Sequence, residues 1–235
     1  MPINTLRWNR LRYNAYADIY DRPGRFFTPC RARSLALAAI RPGERVLLVG
    51  AATGLDLELL PRQADVCAID YAPAMVERLI LRARELAFPV DARVMDAQAM
   101  EYPDDSFDVV VLHLILAVVP DPLACIREVE RVLRPGGRVV VFDKFLPDGA
   151  QASLPRRALN LLTTVLATDI NRRLADIMAG TALVKLYDEP VLWGDTFRVA
   201  GFEKHLQLSP MAGADVREPA REPDSGRDLP PGAED

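Results

Sequence analysis

Five short apolar runs, at 45–49, 65–70, 91–95, 107–113 and 138–143, are separated by segments whose apolar residues recur with helical period. That alternation constrains the fold more than any other feature of the chain. Strands buried on both faces and joined through helices build a parallel sheet covered by helices on either side. The spacing predicts helices over 54–61, 73–86 and 122–134. For the last of these, Asp121 can cap the N-terminus, Pro122 fits the first helical position, and the turn Pro135-Gly136-Gly137 stops it.

Past residue 150 the rhythm changes. Two leucine-rich helical stretches, SLPRRALNLLTTVLA and DINRRLADIMA, precede two strand-like pieces, KLYDEPVL and EKHLQLS, which are expected to close the sheet as an antiparallel pair. From Met211 onward Pro, Gly, Asp, Glu and Arg dominate and almost nothing can be buried, so this segment is expected to be disordered. The expected organisation is an N-terminal helical cap over 1–40, a core over 41–210 and an acidic tail over 211–235.

Charge is divided unevenly along the chain. The net charge is -4, but residues 1–35 hold seven arginines (Arg7, Arg10, Arg12, Arg22, Arg25, Arg31 and Arg33) against Asp18 and Asp21, while the segment from Met211 is acidic. An acidic body argues against nucleic acid as a partner. Cys30, Cys67 and Cys125 stand far apart with no CxxC pair and no clustered histidine, so neither a disulfide framework nor a zinc site is indicated, and a reducing cytoplasm fits. The run VVVLHLILAVV at 109–119 is shorter than the roughly 20 residues that span a bilayer, so any membrane contact is expected to be peripheral.

The stretch VLLVGAATGLD carries the first chemistry. Gly50-Ala51-Ala52-Thr53-Gly54 is read as a tight turn between a buried strand and a helix, where small residues let a ligand approach the backbone and the helix start offers free N–H groups. The next strand ends in Asp70, twenty residues beyond Gly50, where a carboxylate in this architecture accepts hydrogen bonds from ribose hydroxyls. A dinucleotide fingerprint would want glycine at 52 and 55, where the chain has Ala52 and Leu55. The third strand ends at Asp96, a Pro-Asp-Asp-Ser-Phe-Asp run precedes the fourth, and REVERVLRPGGRVVVFD leads into the fifth.

These motifs, in this order and spacing, resemble the class I S-adenosylmethionine-dependent methyltransferases over about residues 13–208, and within them the branch of the ubiquinone/menaquinone C-methyltransferases and the bacterial phosphatidylethanolamine N-methyltransferases. The resemblance implies a doubly wound α/β fold with a mostly parallel, seven-stranded, Rossmann-like sheet, and S-adenosylmethionine as cofactor without a metal. It implies that the turn, Gly50, Ala51, Thr53 and Gly54, lies against the methionine part of the donor, and that Asp70 holds the ribose. By the same resemblance Asp96 and Ala97 meet the adenine amino group, Tyr71 and Met75 flank the adenine ring, and Leu112 to Leu114 lie near the sulfonium. Two positions depart from the pattern. Leu48 stands where the family usually carries an acid, and Ala52 where it usually carries glycine. These departures keep open a non-catalytic donor-binding or membrane-associated protein.

A helix from about 4 to 20 is predicted to have two faces. Tyr13, Tyr16 and Tyr20 share one, and Trp8, Leu11, Ala15 and Ile19 share another. YADIYD resembles a family segment that folds over the donor, which makes Tyr20 a candidate for touching the methyl or the sulfur, while Tyr13 and Tyr16 are expected to pack. His113 is a candidate base, or alternatively a histidine satisfied by its partners, and His205 is expected to be structural in the final strand. With arginines beside Trp8 and Leu11, the cap could rest on anionic lipid, with Arg156, Arg157, Arg172 and Arg173 adding charge near the acceptor site. The expected acceptor is a phospholipid headgroup amine, with a quinone ring or another small molecule as the alternative.

Overall fold

The computed structural model describes residues 4–146 and 168–205. The stretch SLPRRALNLLTTVLA, with Arg156 and Arg157, and the chain from Met211 onward lie outside the described residues. Seven strands form one sheet in the order β3-β2-β1-β4-β5-β7-β6. They are β1 (Arg45–Val49), β2 (Asp65–Asp70), β3 (Asp91–Val94), β4 (Phe107–His113), β5 (Leu133–Lys144), β6 (Leu183–Leu192) and β7 (Phe197–Lys204). The first five are parallel; β7 runs antiparallel between β5 and β6.

The apolar runs become strands because each buries both faces, and the period of two sorts their side chains into two cores. Leu47, Val49, Ile69, Val110, Leu112 and Val141 pack beneath α5 (Pro122–Val132) and α6 (Leu174–Met178). Val46, Leu48, Ala68, Val109, Val111 and Phe142 pack beneath α3 (Thr28–Ala38) and α4 (Pro73–Glu85). As predicted, Asp121 caps α5, its Oδ1 accepting from the amides of Leu123 and Ala124 at 3.0 Å. The three cysteines are free and buried. No helix among the described residues is long and apolar enough to cross a membrane.

Four local expectations are corrected. The single helix over 4–20 is instead α1 (Leu6–Tyr16), followed by α2 (Asp21–Phe26) and then α3. Gly24 is buried in α2, where a Cβ would lie 2.6 Å from the Leu55 side chain. The helix over 54–61 shrinks to one 3-10 turn, Leu55–Glu58, whose Asp56 is drawn into a buried polar network. Helix α5 stops at Val132, and β5 begins at Leu133 and passes through the Pro-Gly-Gly segment. The last strand lies at 197–204 rather than 203–209, so His205 falls just past it. Gly201, which weakens the strand pattern, is required there because any side chain would run into the Tyr187 ring of β6.

Candidate active site at the carboxyl ends of the strands

The carboxyl ends of β1, β2, β3 and β4 open into a cavity of about 670 Å³, its mouth included, roofed by α1. Its floor is the glycine turn. Gly50 has φ +67°, and a Cβ there would lie 2.7 Å from Ile115 Cδ1, so only glycine keeps the floor open at that point. Ala52 also sits in the left-handed region, at φ 48°, and its amide donates to Asp70 Oδ2 at 2.9 Å. Asp70 Oδ1 accepts from the Ala72 amide at 2.9 Å. Burial pushes the Asp70 carboxyl up to about 6, against the opposing pull of the Ala72, Ala52 and Tyr71 amides. A carboxylate fixed by amides at the end of β2 is what two ribose hydroxyls require.

One strand further, Asp96 Oδ1 accepts from both the amide and the side chain of Gln98 at 2.9 Å. Gln98 in turn accepts from the Asp121 amide at 2.8 Å, so the end of β3 is locked to the start of α5. Tyr71, Ala72, Met95 and Ala97 give this part of the cavity apolar walls. Of the residues expected to meet the donor, the structure brings Tyr20, Gly50, Asp70, Tyr71, Asp96, Ala97 and His113 to the cavity.

Ala51, Thr53, Gly54 and Met75 are not among its lining. Ala51 is buried in the core, and Met75, fully buried, packs with Ala17, Ala52 and Ala72 beneath the tyrosines. Gly54, at φ +78°, abuts Leu79 and Leu57. Thr53 Oγ1 donates to Asp21 Oδ1 at 2.6 Å and so anchors α2 rather than facing the cavity. Leu114 lines the cavity at φ 60°, whereas Leu112 is fully buried in the sheet.

His113 does not present a free nitrogen. Its Nδ1 bonds Asp56 Oδ1 and its Nε2 bonds Ser34 Oγ, both at 2.9 Å, with the ring buried. A general base needs an open nitrogen facing the acceptor, and the alternative of a satisfied histidine describes the geometry. Arg31 Nη1 completes the network at 3.0 and 2.9 Å from the two Asp56 oxygens. Burial alone would raise the Asp56 carboxyl, but Arg31 and His113 hold it well below the usual carboxylate range. Leu48, fully buried on this side of the sheet, brings no carboxylate to the layer; Asp56 does.

Burial raises the hydroxyl of Tyr20, which lies near the charges of Arg31 and Asp56, above its ordinary pKa and keeps it neutral. Tyr20 stands edge-on to Tyr13 at 6.4 Å, and Tyr13 likewise meets Tyr16 at 6.2 Å. Tyr16 packs without lining the cavity, while Tyr13 does both.

Sequence reading passed over most of the roof. Leu6, Asn9 and Arg10 face the cavity together with Tyr13, and their spacing of three, four and seven was the available signal. The loop after β4 adds Ile115, Val118, Val119 and Pro120. Arg12, expected at the border of the Trp8 face, is buried with its guanidinium 5.0 Å from the Tyr13 ring. Arg172 is likewise committed inside, donating to the carbonyls of Leu116 and Val119, and burial lowers its pKa. Trp8, Leu11 and Ile19 do face outward.

Residues 47–141 match a methyltransferase domain model. The chain is 32% identical over 189 residues to phosphatidylethanolamine N-methyltransferase of Cereibacter sphaeroides, covering 79% of this chain and 93% of that relative. It is 41% identical over 124 residues to the ubiquinone biosynthesis O-methyltransferase of Xanthomonas campestris pv. campestris, but spans only 52% of each chain. Geranyl diphosphate C-methyltransferase from Streptomyces coelicolor A3(2) superposes with a TM-score of 0.63 at 17% identity, over 75% of this chain and 80% of that one, a likeness of fold. The chain belongs to the S-adenosylmethionine-dependent methyltransferases.

S-adenosylmethionine is the methyl donor of this family, and the cavity fits it. The fit rests on the open floor at Gly50, the amide-held carboxylate of Asp70 and the apolar walls leading to Asp96. When bound, the donor supplies a methyl group already activated on a sulfonium, so the protein's work is orientation and exclusion of water. Asp70 and Asp96 line the cavity at the carboxyl ends of β2 and β3, and α1 closes it from above.

Proposed function

We propose that this methyltransferase acts on the amine of a phospholipid headgroup of the phosphatidylethanolamine kind. The observation that carries the reading is the extent of the similarity to the Cereibacter enzyme. It covers 93% of that relative and runs longer than the whole stretch from β1 to the end of β7, so it reaches beyond the donor-binding core. The match to the quinone enzyme, 124 residues, is shorter than that stretch.

Surface chemistry supports the same reading. Trp8, Leu11, Ile19, Phe26 and Trp193 are exposed apolar residues. They belong to α1, α2, the linker between them, and the β6–β7 turn, which lies at the carboxyl end of β5 because Phe197 pairs with Lys144. Apolar groups around a cavity mouth, in a segment rich in arginine, fit a protein lying on an anionic membrane surface, at the cytoplasmic face of the inner membrane. Residues 1–40 act in this reading as a cap on the core.

The test is transfer of labelled methyl from S-adenosylmethionine into vesicles containing phosphatidylethanolamine, with phosphatidylcholine vesicles and a quinol as parallel acceptors. Label in the ethanolamine lipid is expected. Label confined to the quinol would end the phospholipid reading.

A further inference from the structure

The inner wall of α1 carries two polar groups that the donor-binding role leaves unused. Asn9 is only 7% exposed; its Nδ2 donates to the Val118 carbonyl at 3.1 Å, and its Oδ1 has no hydrogen-bond partner. A buried acceptor left unpaired destabilises the state that holds it. Asn9 lines the cavity, so an N–H brought in by a bound molecule would remove that cost. The next residue, Arg10, is exposed at the same wall and is the single arginine or lysine in the lining, whose other formal charges are Asp70 and Asp96. Its guanidinium makes no ion pair with either carboxylate, or with any other group among the described residues. Among the described residues Arg7, Arg22, Arg84 and Arg127 also lack a carboxylate partner, but none of them lines the cavity.

Depth orders these groups. Asn9 is buried and Arg10 exposed, so along this wall the acceptor oxygen lies on the protein side and the cation on the solvent side. A planar guanidinium at an entrance suits a phosphate or carboxylate, which it can grip through two N–H groups. We propose that this wall recognises a zwitterionic methyl acceptor, Arg10 holding its anionic group and the Asn9 Oδ1 accepting an N–H from its amine. The inference rests on the phospholipid-amine reading and deepens it. An ethanolamine phosphate enters amine first, leaves its phosphodiester at Arg10, and keeps its acyl chains outside near Trp8 and Leu11, which point outward.

The experiment is calorimetric titration of the full chain, saturated with S-adenosylhomocysteine, by soluble headgroup probes. Glycerophosphoethanolamine carries both groups, glycerophosphocholine lacks the N–H, glycerol 3-phosphate lacks the amine, and glycine replaces phosphate by carboxylate. Each is titrated into the wild type, Arg10→Gln, and the control Arg22→Gln. Glycerophosphoethanolamine is expected to bind about tenfold more weakly to Arg10→Gln and unchanged to Arg22→Gln, the size of one charge-assisted hydrogen bond. In the wild type, glycerophosphocholine is expected to bind several-fold more weakly than glycerophosphoethanolamine. Unchanged binding in Arg10→Gln, an equal loss in Arg22→Gln, or a loss confined to S-adenosylhomocysteine affinity would each overturn the proposal. Glycine binding in preference to the phosphate esters would uphold the zwitterion wall and assign its anion to a carboxylate. Probe binding without label transfer to ethanolamine lipid would defeat the phospholipid reading and leave the wall standing.

Discussion

At the floor of the cavity, Asp70 is held by the backbone amides of Ala52 and Ala72, at most eighteen positions away in the chain. At its roof, α1 is held by Asn4 and Asn9, which reach 114 and 109 positions to the Val118 carbonyl. The linker after α1 is tied to α4 by Asp18 with Arg78 and the start of α2 by Asp21 with Arg82, and Asn14 of α1 accepts from the Ala74 amide at 3.1 Å. The floor is a property of two neighbouring strand ends. The roof exists only because distant segments supply its partners, so damage to the floor should be read in binding and damage to the roof's anchors in stability.

The sharpest test of that contrast is Asp56→Ala. It would leave Arg31 buried without its counter-charge and cut His113 from its partner, an expected loss of about 3–5 kcal/mol in urea unfolding. Next is Asp70→Ala, expected to weaken S-adenosylhomocysteine binding at least a hundredfold, about 3 kcal/mol from two charge-assisted hydrogen bonds, while the urea midpoint moves far less. If Asp70→Ala unfolded the protein and Asp56→Ala only weakened the donor, the assignment of Asp70 to binding and of the buried Arg31–Asp56–His113 network to stability would be wrong.

The pH dependence sharpens the comparison at the same residue. An Asp70 carboxyl raised to about 6 is protonated in the free protein below that pH, so donor affinity should fall roughly tenfold per unit beneath it. Stability of the ligand-free protein has the opposite sign. The folded state binds this proton more tightly than the unfolded chain, so Asp70's contribution is fully present below about 4 and is lost as pH rises through about 6. Calorimetry and urea melts between pH 4.5 and 7.5 check both directions.

Smaller effects remain. Ala52→Gly should relieve the left-handed strain at φ 48°, offset by the greater freedom of the unfolded chain, for a net gain within about 1 kcal/mol by thermal melting. Asp18→Asn removes an exposed pair with Arg78 and should cost about 0.5 kcal/mol or less. A loss of several kcal/mol there would mean that surface pairs, rather than the buried network, hold the roof.

Legibility in the sequence follows the same division. Five parallel strands and Asp70 were readable because a doubly buried strand must be an unbroken apolar run and the carboxylate sits at the strand's own end. The 3-10 turn at 55–58 was not, because its apolar residues fit a helix equally well and only the Arg31–Asp56–His113 network, drawn from three separate elements, distinguishes them. Helix α2 was hidden for a related reason: Gly24 looks like a chain reversal until Leu55 is seen to occupy the space a side chain would need.

By itself, then, the amino-acid order determined the sheet's alternation, the bend after β1 and the acid after β2, since each depends on residues adjacent in the chain or on a period that one element imposes. Which nitrogen atoms are free, which arginines are spent on carbonyls and which face of α1 looks inward were decided only when the chain closed on itself. A hydrogen bond between Asn9 and Val118, or between His113 and Ser34, has no signature along the backbone, because its energy depends on a distance that folding alone sets.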